Sequence, residues 1–158
     1  SAVELSPVSP NTGEFSLRMQ ATRSGPEAAA QLETPPVWIR SPEVSVQPGQ
    51  QYVVQGWVRL NAPLAGSTDG VVIFDTQQGR ELALRIPNTH GWQPFRMEGT
   101  ATRHEPLAVN IELTGIGEAY LDDVEILLPG HQPPREDQSQ QQPPSTARRL
   151  RELIRLPR

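Results

Sequence analysis

The chain has 158 residues, of which 35% are hydrophobic and 5% aromatic, and its formal net charge at pH 7 is −4. This length allows one domain with a modest core, and the absence of cysteine excludes disulfides, thiolate metal sites and a cysteine nucleophile. Residues 1–145 hold 17 acids and nine arginines, a balance that argues against nucleic acid as the main partner. The first residue is Ser, so we expect a processed chain or a domain taken from a longer protein.

Period-two alternation between short turn signals predicts β-strands along most of residues 1–128. The chain contains 17 Pro and 12 Gly, and Pro48-Gly49 and Asp69-Gly70 are typical turn pairs. In chain order the predicted strands cover 15–21, 37–46, 51–60, 71–75, 82–86, 92–102, 107–113 and 120–127. This spacing is typical of a β-sandwich.

The strand predicted at 51–60 has two distinct faces. Its residues alternate between an apolar set, Tyr52, Val54, Val58 and Leu60, and a second set, Val53, Gln55, Trp57 and Arg59. The strands at 82–86 and 107–113 repeat this pattern and carry Arg85, Asn110 and Glu112 on their polar faces. Strands with one apolar face predict antiparallel sheets packed face to face. The sequence therefore predicts an all-β fold over residues 1–128, an antiparallel β-sandwich of the jelly-roll type.

Asp122 and Asp123 are adjacent acids in the last predicted strand. A carboxylate that enters the core is destabilising unless hydrogen bonds or a cation compensate its loss of hydration. Adjacent strand residues point to opposite faces, so these two carboxylates are not expected to form a catalytic pair. His90, His104 and His131 lie in predicted loops without a spacing typical of zinc sites. No nucleophile elbow, phosphate loop or dinucleotide fingerprint occurs in the sequence. We therefore predict that the chain is not an enzyme.

An acid in the last strand could instead bind a structural cation. Calcium takes about six to eight oxygen ligands, which can come from two distant parts of a chain. Asp122 would supply one carboxylate, and Glu4 near the amino end is a candidate for a second. A carboxylate in this position is equally suited to capping a turn or accepting backbone N–H groups, so both interpretations stay open.

Trp57 lies on the polar face of its predicted strand, beside Gln55 and Arg59. An exposed indole among hydrogen-bonding side chains is typical of a sugar site, where the ring covers apolar C–H groups and the neighbouring side chains bind hydroxyls. A loop that covers Trp57 is the alternative. Trp92 is predicted to lie in the core, and Trp38 is predicted to be packed.

The composition changes after Leu128. Residues 129–145 contain no apolar residue that could anchor them, which predicts a disordered Pro/Gln-rich linker. Residues 146–158 are basic, and an apolar helical face is formed by Ala147, Leu150, Leu153 and Ile154. A short basic amphipathic helix of this kind can contact an anionic membrane, but a solvated tail or a docking segment is more common.

Short motifs follow one another in a recognisable order along about residues 1–128. They are Gly13-Glu-Phe-Ser-Leu-Arg18, Val46-Gln-Pro-Gly-Gln-Gln-Tyr52, Trp57-Val-Arg59, Gly91-Trp92 and Ala119-Tyr-Leu-Asp-Asp-Val124. This order resembles the galactose-binding-like jelly rolls, in particular carbohydrate-binding modules of the family 4/9 type. The resemblance implies the jelly-roll fold, and it implies a structural Ca²⁺ ligand at Asp122, because an Asp of the last-strand motif often has that role in the family.

The polar strand faces and the resemblance together imply a non-catalytic carbohydrate-binding module, carried by a larger secreted or cell-surface protein, with a glycan as its partner. The candidate ligand residues are Trp57, Gln55, Arg59, Arg85, Asn110 and Glu112. The alternative is a structural or adhesive accessory domain that has kept the fold and lost the ligand. It predicts that Trp57 is covered and that no groove crosses the polar face.

Overall fold

The computed structural model describes residues 1–22 and 35–130, so most of the predicted linker (129–145) and all of the predicted tail (146–158) lie outside it. The described residues form nine strands and one 3₁₀ turn, Arg80–Leu82. The strands are β1 Ala2–Ser6, β2 Ser16–Ala21, β3 Val37–Arg40, β4 Gln51–Leu60, β5 Val71–Asp75, β6 Leu84–Ile86, β7 Gln93–Thr100, β8 Val109–Leu113 and β9 Gly117–Leu127. In these two ranges, no helix has the length and apolar character needed to cross a membrane.

The strands form two antiparallel sheets. The five-stranded sheet has the order β1-β2-β9-β4-β7, and the four-stranded sheet has the order β3-β8-β5-β6. The final strands β8 and β9 are consecutive in the chain but belong to different sheets, so the short segment between them crosses from one layer to the other. This arrangement confirms the predicted antiparallel β-sandwich of the jelly-roll type.

The core lies between the sheets and is built from alternate strand residues. The largest fully buried side chains of the core cluster are Met19, Tyr52, Val54, Val58, Val71, Ile73, Leu107, Val109, Leu113 and Leu121; Val72 is also fully buried but is not part of this cluster. The cluster residues come from both sheets, as alternation with one apolar face requires. Burial of each large aliphatic side chain contributes about 1.5–3 kcal/mol. The strands predicted at 51–60 and 71–75 match β4 and β5 residue for residue.

Some local predictions were wrong. Leu82, predicted to be in a strand, lies exposed in the 3₁₀ turn, so β6 begins only at Leu84. The strand predicted to continue to residue 46 ends at Arg40, shortly before Pro42, which has no N–H to donate to a ladder. Val44 keeps a single bridge to Leu107. The edge strand β1 was not among the predicted strands.

A buried polar cluster ties β5 to the loops beside it. Asp75 is fully buried, and its Oδ1 accepts the N–H groups of Gln77 (2.8 Å) and Gln78 (2.7 Å). The Gln77 side chain donates to a carbonyl of the 102–105 loop and accepts two of its N–H groups. Gln78 Nε2 contacts the hydroxyl of Tyr52 at 3.2 Å, and burial raises the pKa of Tyr52 to about 12. These bonds fix the loops that close this end of the sandwich.

Candidate functional site

Trp57 lies on the outer face of the five-stranded sheet, the face turned away from the core. The strand register places it opposite Pro94 of β7 and Asp122 of β9. The Trp57 groove, an open depression of about 470 Å³, lies beside the half-buried ring. The side chains that line it include Gln55, Trp57, Pro94, Arg96, Asp123 and Glu125.

Gln55 is held by its neighbours in the Trp57 groove. Its Nε2 donates to Glu125 at 2.7 Å, and its Oε1 accepts from Arg96 Nη1 at 2.7 Å. Arg96 Nε donates to Glu98 at 2.9 Å. Because these groups already satisfy one another, a ligand in this groove would have to exchange existing hydrogen bonds for its own.

Arg59, a predicted ligand residue, is engaged by the protein itself. Its Nη1 and Nη2 donate to the carbonyl oxygens of Ser9 and Val8, both at 3.2 Å. The guanidinium also lies over two rings, 4.4 Å from the centroid of Tyr120 and 5.1 Å from that of Trp92. Cation–π contacts of this kind stabilise a fixed position of the side chain. Arg59 therefore clamps the connection between β1 and β2 onto the sheet.

Trp92 takes part in the same clamp. It was predicted to lie in the core, but it is only half-buried and its Nε1 donates to the carbonyl of Ser9 at 3.0 Å. The prediction failed because an indole N–H needs a partner, and the backbone of the β1–β2 connection supplies it on the outer face.

The other three predicted ligand residues lie on the opposite side of the molecule. Arg85 belongs to β6, whereas Asn110 and Glu112 belong to β8, and both strands are in the four-stranded sheet. The structure therefore does not bring these residues to Trp57. Alternation defines the face of a strand within its own sheet, but it does not define which sheet the strand joins.

Trp38 is the most exposed aromatic ring on this outer face of the four-stranded sheet. It was predicted to be packed, yet 62% of it is exposed. Its neighbour across the β3–β8 pair is Glu112, and the same row continues through Val72 to Arg85. The adjacent row is formed by Arg40, Asn110 and Phe74. We call these seven residues the Trp38 face; Trp38, Arg40 and Arg85 are its exposed members, and Val72 is buried beneath the neighbouring side chains.

Sequence reasoning missed Trp38 because 37–39 is a continuous apolar run. Val37 is buried and Ile39 packs against the core, which leaves the ring between them to point outward. Arg40 could have indicated the exposure of Trp38. A charged residue in a strand marks the face that is turned to solvent, and every second residue shares that face. Trp38 is two residues from Arg40 and must share its face.

The Trp38 face combines a flat ring with charged and amide groups. Arg80 reaches from the 3₁₀ turn and holds the Glu112 carboxylate through contacts of 2.9 and 3.0 Å to Oε2. Arg85 Nε lies 3.5 Å from Asp69 Oδ2. Rigid strands thus present an indole for the C–H face of a polar ligand, with hydrogen-bonding groups one strand away.

Asp122 and Asp123 both contact the β1–β2 connection. β9 has a bulge opposite Gly56, and Asp123 there adopts a positive φ of 49°. Asp122 Oδ2 accepts the backbone N–H groups of Asn11 (2.8 Å) and Thr12 (3.1 Å), while Asp123 accepts the Thr12 hydroxyl at 2.8 Å. The expectation that the two carboxylates serve opposite faces was wrong, because the bulge interrupts the alternation.

The Asp122 carboxylate accepts backbone N–H groups, which is the second of its two predicted uses, and the calcium ligand stays a prediction. Its Oδ1 accepts the N–H of Asp123 at 2.9 Å, so hydrogen-bond donors occupy both oxygens. Glu4, the predicted second ligand, instead pairs with Arg18 at 2.8 Å. Across residues 1–22 and 35–130, no group of three His, Cys, Asp or Glu side chains is placed to hold a metal.

The two packed antiparallel sheets define a β-sandwich of the jelly-roll type, and this fold is similar to that of carbohydrate-binding modules. Twenty-seven solved chains match the fold. One is a family 16 carbohydrate-binding module, with 15% identity, a TM-score of 0.54 and coverage of 79% of this chain and 84% of the other. A second, described under carbohydrate-binding module family 4 structure and function, has 13% identity, a TM-score of 0.54 and coverages of 80% and 77%.

Two further solved structures contain a bound sugar or a neighbouring module. One is a family 61 module in complex with β-1,4-galactotriose, with 14% identity, a TM-score of 0.52 and coverages of 80% and 82%. The other is the Clostridium thermocellum xylanase 10B fragment, a family 22 module joined to a glycoside hydrolase family 10 module, with 14% identity, a TM-score of 0.53 and coverages of 83% and 25%. At these identities the likeness shows the fold. No protein-family model and no curated protein matches the chain.

Proposed function

We propose that this chain is a non-catalytic glycan-binding module of a larger secreted or cell-surface protein, and that the Trp38 face binds the glycan. The observation that carries the proposal is the exposure of Trp38, 62%, on a rigid strand directly opposite Glu112. A soluble protein gains nothing in stability from an indole left in water. A sugar that stacks on the ring recovers that apolar contact.

The structural neighbours support the same class of ligand. Carbohydrate-binding modules recur among them, and one of the matching chains joins such a module to a hydrolase module. Attachment to a larger secreted or surface protein fits that organisation. One exposed ring predicts a weak affinity, with a dissociation constant from about a millimolar to tens of micromolar.

The Trp57 groove is a second candidate for the same ligand. Its support is its open volume of about 470 Å³ beside a half-buried indole, a feature that the ligand-free accessory domain does not predict. Its polar groups are, however, already paired with one another. The charged groups of the Trp38 face are also paired, Glu112 with Arg80 and Arg85 with Asp69, so the choice rests on the rings. Trp38 is 62% exposed and Trp57 is half-buried, and we therefore place the ligand on the Trp38 face and treat the groove as the competing location.

Affinity electrophoresis tests the proposal. Native gels containing xylan, β-1,4-galactan, other soluble glycans or no polysaccharide would be run with the full chain, Trp38→Ala and Trp57→Ala. We expect retardation by at least one glycan, a loss of about tenfold or more in affinity for Trp38→Ala, and little change for Trp57→Ala. The two variants remove the same side chain from opposite sheets, so each is the control for the other.

The same gels contain the results that would overturn the proposal. Retardation lost only in Trp57→Ala would move the site to the groove. Retardation by no glycan in a broad panel would leave the ligand-free structural or adhesive domain as the better account. Equal melting temperatures of the three proteins would exclude misfolding as the cause of any difference.

A further inference from the structure

An apolar crevice opens between the two sheets at the edge of the sandwich. Its volume is about 510 Å³, and its apolar lining includes Val3, Leu5, Phe15, Ile39, Leu121 and Val124. Of the residues that line it, Leu5 is 69% exposed and Phe15 is 50% exposed. The strand register places Val3 and Leu5 opposite Met19 and Leu17, on the core side of the sheet. Apolar side chains that face the core side yet remain in water indicate a surface that something else covers.

The chain itself contains a segment with an apolar stripe that could cover this crevice. Residues 146–158 follow the linker, and an apolar stripe at helical spacing is formed by Ala147, Leu150, Leu153 and Ile154. A helix of this length is marginal alone in water and needs an apolar partner surface. We propose that residues 146–158 dock as an amphipathic helix in the apolar crevice.

The charges of residues 146–158 and of the crevice favour this docking. Residues 146–158 hold five Arg and one Glu. The crevice includes Asp122 and Asp123, and the exposed Glu14 adjoins Phe15. Arg40 is the one basic residue lining the crevice in the described part of the chain, and it is paired with Glu43 at 3.0 Å. Arginines around the apolar stripe would therefore meet a mainly acidic rim.

The length of the chain allows the contact. The crevice borders β9 at Val124, and the described chain ends six residues later, at Gly130. The 16 residues from 131 to 146 can extend to about 50 Å at most, which exceeds the roughly 20 Å that six extended residues cover, so the chain is long enough to return to the crevice. Because the segment is joined covalently to the sandwich, docking is intramolecular and requires less affinity than the binding of a separate chain would. The crevice is lined by the start of β2 and the end of β3, whereas residues 23–34 are connected to the other ends of these two strands.

Disulfide trapping in the full chain tests the docking. The protein has no cysteine, so a pair of introduced cysteines reports one contact without interference. One variant carries Leu5→Cys and Leu153→Cys, and its matched control carries Leu82→Cys and Leu153→Cys. Leu82 is an exposed leucine, like Leu5, but it does not line the crevice. A disulfide forms only where the Cα atoms approach within about 7 Å.

We expect oxidised glutathione to convert the Leu5 pair to an intramolecular disulfide at least about tenfold faster than the Leu82 pair. Adding Leu150→Asp to the Leu5 pair should reduce its rate to that of the control, because the substitution places a charge in the apolar stripe. Equal rates for the two pairs would overturn the proposal. So would a product that is only a disulfide-linked dimer, which would assign the crevice to a second copy of the chain. Melting curves of the reduced proteins establish that each variant is folded.

Discussion

Gly70 lies where the backbone leaves no room for a side chain. Its φ is +70°, and an added Cβ would collide with the carbonyl oxygen of Ile86. We expect Gly70→Ala to lower the free energy of unfolding by about 2–4 kcal/mol, from left-handed strain and steric overlap together. Urea denaturation measures this loss.

Gly49→Ala is the matched control for Gly70→Ala. Gly49 also has a positive φ, +86°, but no atom lies within 4 Å of the added Cβ. We expect a loss of about 1–2 kcal/mol from the backbone conformation alone. Equal losses in the two variants would contradict the steric account of the Asp69-Gly70 turn.

Asp122 provides a test of the calcium interpretation at the level of one residue. Because backbone N–H groups of residues 11, 12 and 123 bind its two oxygens, we expect a chelator to leave the melting temperature of the protein unchanged. Asp122→Ala should lower the free energy of unfolding by about 2 kcal/mol through loss of these acceptors. A chelator-dependent fall in melting temperature, restored by Ca²⁺, would place calcium at this site.

At the scale of the strands, Arg18 of β2 joins the two strands beside it. Its guanidinium contacts Glu4 of β1 at 2.8 Å and Glu118 of β9 at 2.7 Å. The hydrogen bond from Arg18 lowers the pKa of Glu118 below its ordinary value, and burial has a smaller, opposite effect. Asn61 Nδ2 also donates to Glu118 Oε1 at 2.8 Å. The charged form of Glu118 is therefore the form that holds this edge of the sheet together.

A lowered pKa in the folded state stabilises the protein above the pKa of the unfolded chain, and this stabilisation is lost as the pH falls through the folded value. We expect Glu118→Gln to cost about 1 kcal/mol at pH 7. This difference from the parent should disappear as the pH falls well below 4.5, the ordinary value for Glu. Denaturation at several pH values measures it. The control is Glu98→Gln, an exposed carboxylate bonded to Arg96, and a difference in Glu118→Gln that persists in acid would refute the assignment.

The strands themselves were largely predictable from the sequence, because burial against one core requires period-two alternation. This holds best for β8, where Val109, Ile111 and Leu113 are buried in turn. The predictions failed where local chemistry replaced alternation. Leu82 entered a 3₁₀ turn, and Asp123 entered a bulge that brings it to the same connection as Asp122.

At the scale of the whole molecule, the sequence could predict a sandwich but not the composition of its two outer surfaces. The strand patterns treated Trp57 and Glu112 as parts of comparable faces, and the order of strands separates them onto different sheets. That order depends on long-range pairing, which alternation within a strand does not contain. The exposed position of Trp38, by contrast, could have been predicted, because Arg40 marks the solvent face of the same strand.

The central claim is that a glycan stacks on Trp38, and an NMR titration tests it most directly. The chain has three Trp residues, so its ¹H–¹⁵N spectrum contains three indole N–H signals, which Trp38→Phe, Trp57→Phe and Trp92→Phe assign. With a glycan that retards the protein in gels, we predict a saturable shift of the Trp38 signal and little change for Trp57 and Trp92. A saturable shift of Trp57 with Trp38 unchanged would contradict the claim.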